Sequence, residues 1–171
     1  MDSLLSYRGQ QEVYTTLQQL AISFEYYEHE PAHTAEEARK CFRGNETTCC
    51  KNLFFRNHKG NKHYLVVLEA SRELHIHDLE KRLKQGKLSF ASPERMQRYL
   101  GLTPGSVSPL GLINDVDNHV HVFFDLSLQL AKKLSFHPNL NTASLVFENA
   151  DFIQFMNSTG NTFEFLSLYD Y

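Results

Sequence analysis

Three groups of residues in this chain have the chemistry to act on a ligand, and each has an ordinary structural use as well. The first is the run Thr103-Pro104-Gly105-Ser106-Val107-Ser108-Pro109-Leu110-Gly111-Leu112-Ile113-Asn114-Asp115. Proline fixes φ and lacks an N–H, whereas glycine takes positive φ and lets a ligand approach the backbone. Such a loop can turn several N–H groups inward as a nest for oxygen atoms. It can equally be a tight turn held against a core, because it runs straight into Leu110, Leu112 and Ile113. The second group is imidazole and thiol. His75-x-His77 and His119-x-His121 would each set two of the nine histidines on one face of a strand. No third ligand stands at a spacing usual for zinc, so no metal and no cofactor is expected. The three cysteines, with Cys49 and Cys50 adjacent, form neither a Cys-x-x-Cys pair nor a disulfide framework. They are read as reduced structural residues rather than nucleophiles. The third group is Lys51 in Lys51-Asn52-Leu53-Phe54, a lysine among apolar strand residues at the inner end of a hairpin whose tip already carries Lys59 and Lys62. It is either one more solvated charge or a cation reserved for a site. The chain holds no Gly-x-Ser-x-Gly elbow, Walker loop, His-Glu-x-x-His or dinucleotide fingerprint.

The elements that must position these residues follow from periodicity and punctuation. Val13, Leu17, Leu20 and Ala21 recur at helical spacing, which predicts a first helix over 8–21. Residues 24–28 are rich in aromatics and read as a strand. Thr34 and Glu37 fit a capping box that opens a short helix to Lys40. Residues 47–55 and 63–68 form a hairpin around the polar, glycine-bearing tip 57–62. Residues 78–83 look helical, and Ser92-Pro93-Glu94 starts a helix that Gly101 stops. Beyond the Gly/Pro loop, 120–124 is a strand, Asp125 caps a helix through Lys132, 144–147 is a strand, 151–156 a helix and 163–168 a last strand. Strands and short helices mix without a βαβ repeat. The fold class expected is α+β, a single domain over 1–171 with a mixed, mainly antiparallel sheet and peripheral helices.

Composition bounds the partners. With 42% hydrophobic and 22% charged residues the chain is an ordinary globular one. Net charge is −3 with no Lys/Arg block, so contact with nucleic acid would use a local basic site rather than a basic face. No run approaches the roughly 18 apolar residues of a membrane span, and the N-terminus lacks signal-peptide regions. A soluble cytoplasmic protein, monomeric by default, is the expectation.

Four segments read together carry more than any one alone: 29–38 (His29-Glu30-Pro31-Ala32-His33-Thr34-Ala35-Glu36-Glu37-Ala38), Lys51-Asn52-Leu53-Phe54, the loop from Thr103 to Pro109, and Phe136-His137-Pro138 followed by Asn141-Thr142-Ala143. In this order they resemble the YbaK/prolyl-tRNA synthetase editing-domain superfamily, over nearly the whole chain. The chain looks most like the free-standing prolyl-tRNA-editing proteins that deacylate alanyl-tRNA(Pro). The resemblance implies that Gly105 to Pro109 shapes an aminoacyl pocket, Lys51 holds the 3′-terminal adenosine end of the tRNA, and His137 lines the pocket. Lys51, Gly105 and His137 are thus the candidate catalytic residues. Asn52, Thr34, Ser106, Val107, Ser108, Pro109 and Asn141 are the candidate substrate contacts. His33 stands where the family commonly has a larger apolar residue, and Leu110 where it has Phe, and both bear on pocket size.

The implied chemistry needs no triad. An aminoacyl ester is already activated, so positioning and oxyanion stabilisation by backbone N–H groups of residues 105–108 are the main demands. The resemblance implies that water attacks with help from the substrate's own ribose hydroxyl. His137 is either a general base or a pocket wall that orients the ester. A synthetase pocket sized for proline cannot exclude alanine by clash, and a second pocket too small for proline corrects the error. The partners implied are the acceptor end of mischarged tRNA(Pro) and, by association, prolyl-tRNA synthetase. A cysteinyl-tRNA(Pro) hydrolase and a non-catalytic aminoacyl-tRNA-binding regulator are the alternatives.

Overall fold

The computed structural model describes residues 7–31 and 46–170. The helix expected from Thr34 to Lys40 lies outside the described residues, as do the candidate contact Thr34 and His33. Within them the order is α1 (Gln11–Gln19), β1 (Glu25–Glu28), β2 (Thr47–Asn57), β3 (His63–Glu69), α2 (Ile76–Leu83), β4 (Leu88–Phe90), α3 (Pro93–Leu100), a 3-10 helix (Pro109–Asn114), β5 (His121–Asp125), a second 3-10 helix (Leu126–Leu130), β6 (Lys133–Phe136), β7 (Ala143–Glu148), α4 (Asn149–Thr159) and β8 (Phe163–Leu166).

One eight-stranded sheet gathers them in the order β1-β7-β6-β2-β3-β5-β8, with β4 on a second edge of β2. Four pairings are antiparallel and three parallel, the mixed α+β architecture expected. β2 is the joint. Its first residues, Thr47 to Cys49, run parallel to β6, and Cys50 to Arg56 pair with β3. Its end, from Phe55 to Asn57, takes β4. The hairpin tip closes on the Asn57 side chain, whose Oδ1 accepts the N–H groups of Asn61 and Lys62 at 3.0 and 3.1 Å. That is the local bonding for which turns select asparagine.

Alternation along β2 separates two cores. Phe54 joins Leu65, Val67, Val122 and Phe124 in the main core, beneath α1, α3 and α4. Phe55 joins Tyr64, Val66, Leu68 and Phe123 in a second core that α2 covers with Leu79 and Leu83. Burying both faces explains why 64–68 is a continuous apolar run rather than an alternating one.

The helix signals around α3 are realised. Ser92 Oγ accepts the Arg95 N–H at 3.2 Å, Pro93 opens the first turn, and Gly101 closes it at φ +66°. The helix expected behind Asp125 is instead five residues of 3-10 helix, and 133–136 is a strand between β2 and β7. The carboxylate that would have capped it accepts the distant Leu168 N–H at 3.0 Å and the Ser127 hydroxyl. Leu134 and Phe136 gain their burial from sheet pairing, so tertiary contact overrides the local helix signal.

Candidate active site

The Gly/Pro loop joins α3 to the first 3-10 helix. Ser106 N–H donates to Thr103 O at 3.1 Å, which closes a turn, and Gly105 sits in it at φ +90°. Ser108 Oγ accepts the Leu110 N–H at 3.1 Å and caps the 3-10 helix that Pro109 begins. Ser106 and Ser108 are both buried, and Val107 packs against the main core. Farther along, Asp115 accepts the Val120 N–H and the Asn161 amide, each at 2.8 Å, which fixes the loop's far end. The loop is therefore a rigid wall of the main core.

The connection from β6 to β7 lies against this wall. A Cβ placed on Gly105 would stand 3.5 Å from Asn141 Nδ2. Gln10, at the start of α1, ties the two loops together. Its backbone N–H donates to Pro138 O at 3.0 Å, and its Oε1 accepts Asn139 Nδ2 at 2.7 Å and Asn114 Nδ2 at 3.0 Å. Its own Nε2 returns a bond to Asn114 Oδ1 at 2.8 Å. Nothing in the spacing of 103–109 and 137–141 names Gln10, because the tie is between residues more than a hundred positions apart.

His137 opens that connection. Its Nδ1 lies 2.8 Å from Ala143 O, and a carbonyl only accepts, so Nδ1 carries the proton and Nε2 keeps its lone pair. Burial lowers its pKa below the ordinary 6.5, the Ala143 bond opposes this, and the nearby His29 adds to the lowering. The imidazole is thus neutral at pH 7. His29, whose ring centre is 5.8 Å away, donates from Nδ1 to Glu30 O at 2.9 Å and takes the Ser144 hydroxyl on Nε2 at 2.7 Å. His29 and Ser144 are neighbours of the site that their residue types alone did not single out.

Lys51 and Asn52, adjacent in β2, part company. Cross-strand partners share a face. Lys51 pairs with Leu68 of the second core, and Asn52 with Val67 of the main core. Lys51 Nζ donates to Arg72 O at 2.8 Å. Asn52 Oδ1, on the face of the main core, is buried and has no hydrogen-bond partner among the described residues. The structure thus brings Gly105 and Asn141 together, sets His137 in the same connection as Asn141, and turns Asn52 toward the main core. Lys51 it holds on the other face.

The remaining candidates settle elsewhere. His119 bonds to His63 at 2.9 Å and His121 to Thr162 at 2.6 Å, while His77 sits beside Glu80. Cys50 packs against the main core, and burial pushes its thiol far above the usual range, which fits a structural residue. Cys49 is disulfide-bonded, which corrects the expectation of three reduced cysteines.

Residues 29–155 match the aminoacyl-tRNA editing domain. The chain is 39% identical over 160 residues to the prolyl-tRNA editing protein ProX of Acetoanaerobium sticklandii, covering 94% of this chain and 98% of that protein. It is 32% identical over 146 residues to the prolyl-tRNA synthetase associated domain-containing protein 1 of Bos taurus, covering 83% and 85% respectively. A solved structure described as a candidate trans-editing enzyme for prolyl tRNA synthetase superposes with a TM-score of 0.67 at 20% identity, over 92% of this chain and 95% of that one. At that identity the likeness is one of fold.

Proposed function

This chain belongs to the aminoacyl-tRNA editing domain family, and we propose that it is a trans-editing deacylase that hydrolyses mischarged tRNA(Pro), with alanyl-tRNA(Pro) as its substrate. The prolyl-tRNA editing function in the name of the 39% identical relative supports the reaction class. The observation that carries the reading is the placement of Asn141 beside Gly105, in the same connection as a neutral His137 whose Nε2 is left as an acceptor. A glycine turn at positive φ, a primary amide and an uncharged imidazole offer an ester both acceptors (the amide oxygen and Nε2) and donors, with no carboxylate among them.

The step assigned to the protein is small. Water adds to the ester carbonyl, the oxyanion is received by N–H groups of Gly105, Val107 and Ser108, since that of Ser106 already bonds Thr103 O, and the ribose oxygen leaves. His137 orients the ester or water through Nε2, and the substrate's neighbouring ribose hydroxyl moves the proton. Asn52 Oδ1, buried and unpaired, is suited to accept a hydrogen bond from the substrate's ammonium or terminal ribose. Lys51 gives one of its three N–H donors to Arg72 O and keeps two for the terminal phosphate. Such a site acts where tRNA is charged, in the cytoplasm, and no helix among the described residues is long and apolar enough to cross a membrane.

Alanine is favoured because the wall of Val107, Ser108 and Pro109 is packed and tied at both ends, which suits exclusion of the larger proline ring. The test is multiple-turnover deacylation of alanyl- and cysteinyl-tRNA(Pro) side by side. Many equivalents of alanine released per protein, with slower cysteine release, is the expected result. Faster release of cysteine would reassign the substrate, and stoichiometric binding without release would make the chain a carrier.

A further inference from the structure

We infer that the groove between the β2–β3 hairpin tip and the α2–β4 turn binds the phosphodiester backbone of an RNA duplex, as a second contact for a tRNA whose acylated end lies at the site described above. This deepens the deacylase reading and rests on it. The first observation is the segregation of charge. Residues 47–68 and 81–93 hold eight of the chain's 17 Lys and Arg and none of its 20 Asp and Glu. In a chain of net charge −3 that is a local reversal of sign. Sheet pairing brings the two segments side by side, through Asn57 with Leu88 and Arg56 with Ser89.

The second observation is shape. Two hollows of about 410 and 540 Å³ adjoin along this seam and share Asn61, Lys62, Tyr64 and Gln85. Lys59, Lys62 and Lys87 line the first, all exposed. Among the described residues these three lysines pair with no carboxylate. Glu164, on the wall of the second hollow, stands 3.5 Å from His121 Nε2, and Glu80 beside the turn accepts the Leu88 N–H at 2.6 Å. Three ammonium groups outside close ion pairs, of which Lys87 also acts on the nearby Glu80 carboxylate, stand with amides between them and suit a row of phosphates. An aromatic side chain is also to hand. Phe90 is 62% exposed, three residues past Lys87 and paired with Phe55, and can stack on an unpaired base.

The third observation is distance. Lys51 and Asn57 lie on the same face of β2, six residues and about 20 Å apart. A ligand with a short single-stranded end can therefore lay that end by Lys51 and its duplex in the groove. An acidic protein would match the charge but not this spacing.

The test is binding of an uncharged RNA hairpin that ends in a 3′-CCA overhang, followed by fluorescence anisotropy between 50 and 200 mM salt. The wild type is compared with the K59Q/K62Q/K87Q variant, whose fold is checked by circular dichroism melting. The expected result is at least tenfold weaker binding at low salt, with the slope of log affinity against log salt reduced by about 1 per lysine. Equal affinity and slope would overturn the groove, and would leave an acidic protein as its partner. Hydrolysis of alanyl-tRNA(Pro) by the wild type, run in parallel, separates the two readings. Its absence would sink the deacylase assignment, while the hairpin titration still decides the groove.

Discussion

The Nδ1 atom of His137 lies 2.8 Å from the carbonyl oxygen of Ala143, the first residue of β7 and two residues past Asn141. This bond fixes the tautomer, and burial keeps the ring neutral below its ordinary pKa of 6.5. Protonation would replace the Nε2 acceptor by a donor. The expected kcat/KM for deacylation is flat near neutrality and falls only as pH drops through a value below 6.5, and His137→Ala abolishes that limb. An acid limb centred at or above 6.5 in the wild type would show that this imidazole does not govern the step.

Gly105→Ala should cost activity out of proportion to stability. The φ of +90° is strained for any side chain, whereas the new Cβ has room 3.5 Å from Asn141 Nδ2. The backbone term is about 1–2 kcal/mol. A loss of more than tenfold in kcat/KM is expected, because the turn aims the donors. Gly160→Ala, at φ +82° beyond α4, serves as the control, with a stability loss and an unchanged rate. Equal behaviour of the two variants would leave Gly105 a purely structural glycine.

Asn52→Leu should trade function for stability. Removing an unpaired buried oxygen relieves a desolvation penalty of about 1 kcal/mol, roughly 2–4 °C in Tm for a chain of this size. Turnover is expected to be lost in the same variant. A lower Tm would mean that the oxygen is satisfied within the protein, and the ligand role would go with it.

His63 supplies a pH dependence of stability that is separate from catalysis. It is 1% exposed. Its Nε2 accepts from Arg95 Nη1 at 3.1 Å, so Nδ1 donates to His119 Nε2 at 2.9 Å. Burial first, then the charges of His119, Arg95, Arg98 and Arg56, lower its pKa from 6.5 to about 4. A lowered folded pKa leaves stability intact above pH 6.5 and removes it as pH falls toward 4, by up to about 3 kcal/mol. His63→Gln keeps an acceptor and a donor but cannot titrate. Denaturation in urea at pH 7 and pH 4.5 should show the wild type losing more than the variant, and parallel losses would rule His63 out as the source.

Much of this fold was legible because its signals are local. Ser92-Pro93 and Gly101 mark both ends of α3, and the polar tip 57–62 lies between two apolar runs that pair in register. Where the outcome is set at a distance, local reading fails. Asp125 is spent on Leu168, so the helix expected behind it is a short 3-10 turn followed by a strand. Three-residue β4 carries too few positions to show a period.

The candidate site divides in the same way. Gly105, Val107, Ser108 and Pro109 announce a special loop by type, and His137 and Asn141 come with their motif. His29 stands in the first motif but was given no role there, and Gln10 and Ser144 are ordinary residues made relevant by folding that no spacing rule reaches. Lys51 was marked by its odd place among apolar residues, yet a strand alternates, and only the register with β3 shows that Asn52 takes the main-core face.

The central claim is selective hydrolysis, and single-turnover release of the amino acid from alanyl-tRNA(Pro), with prolyl-tRNA(Pro) as the control, tests it most directly. Rapid loss of alanine, an intact prolyl ester, and weakened turnover in Lys51→Ala are expected. Intact alanyl-tRNA(Pro), or equal cleavage of both esters, would contradict the claim.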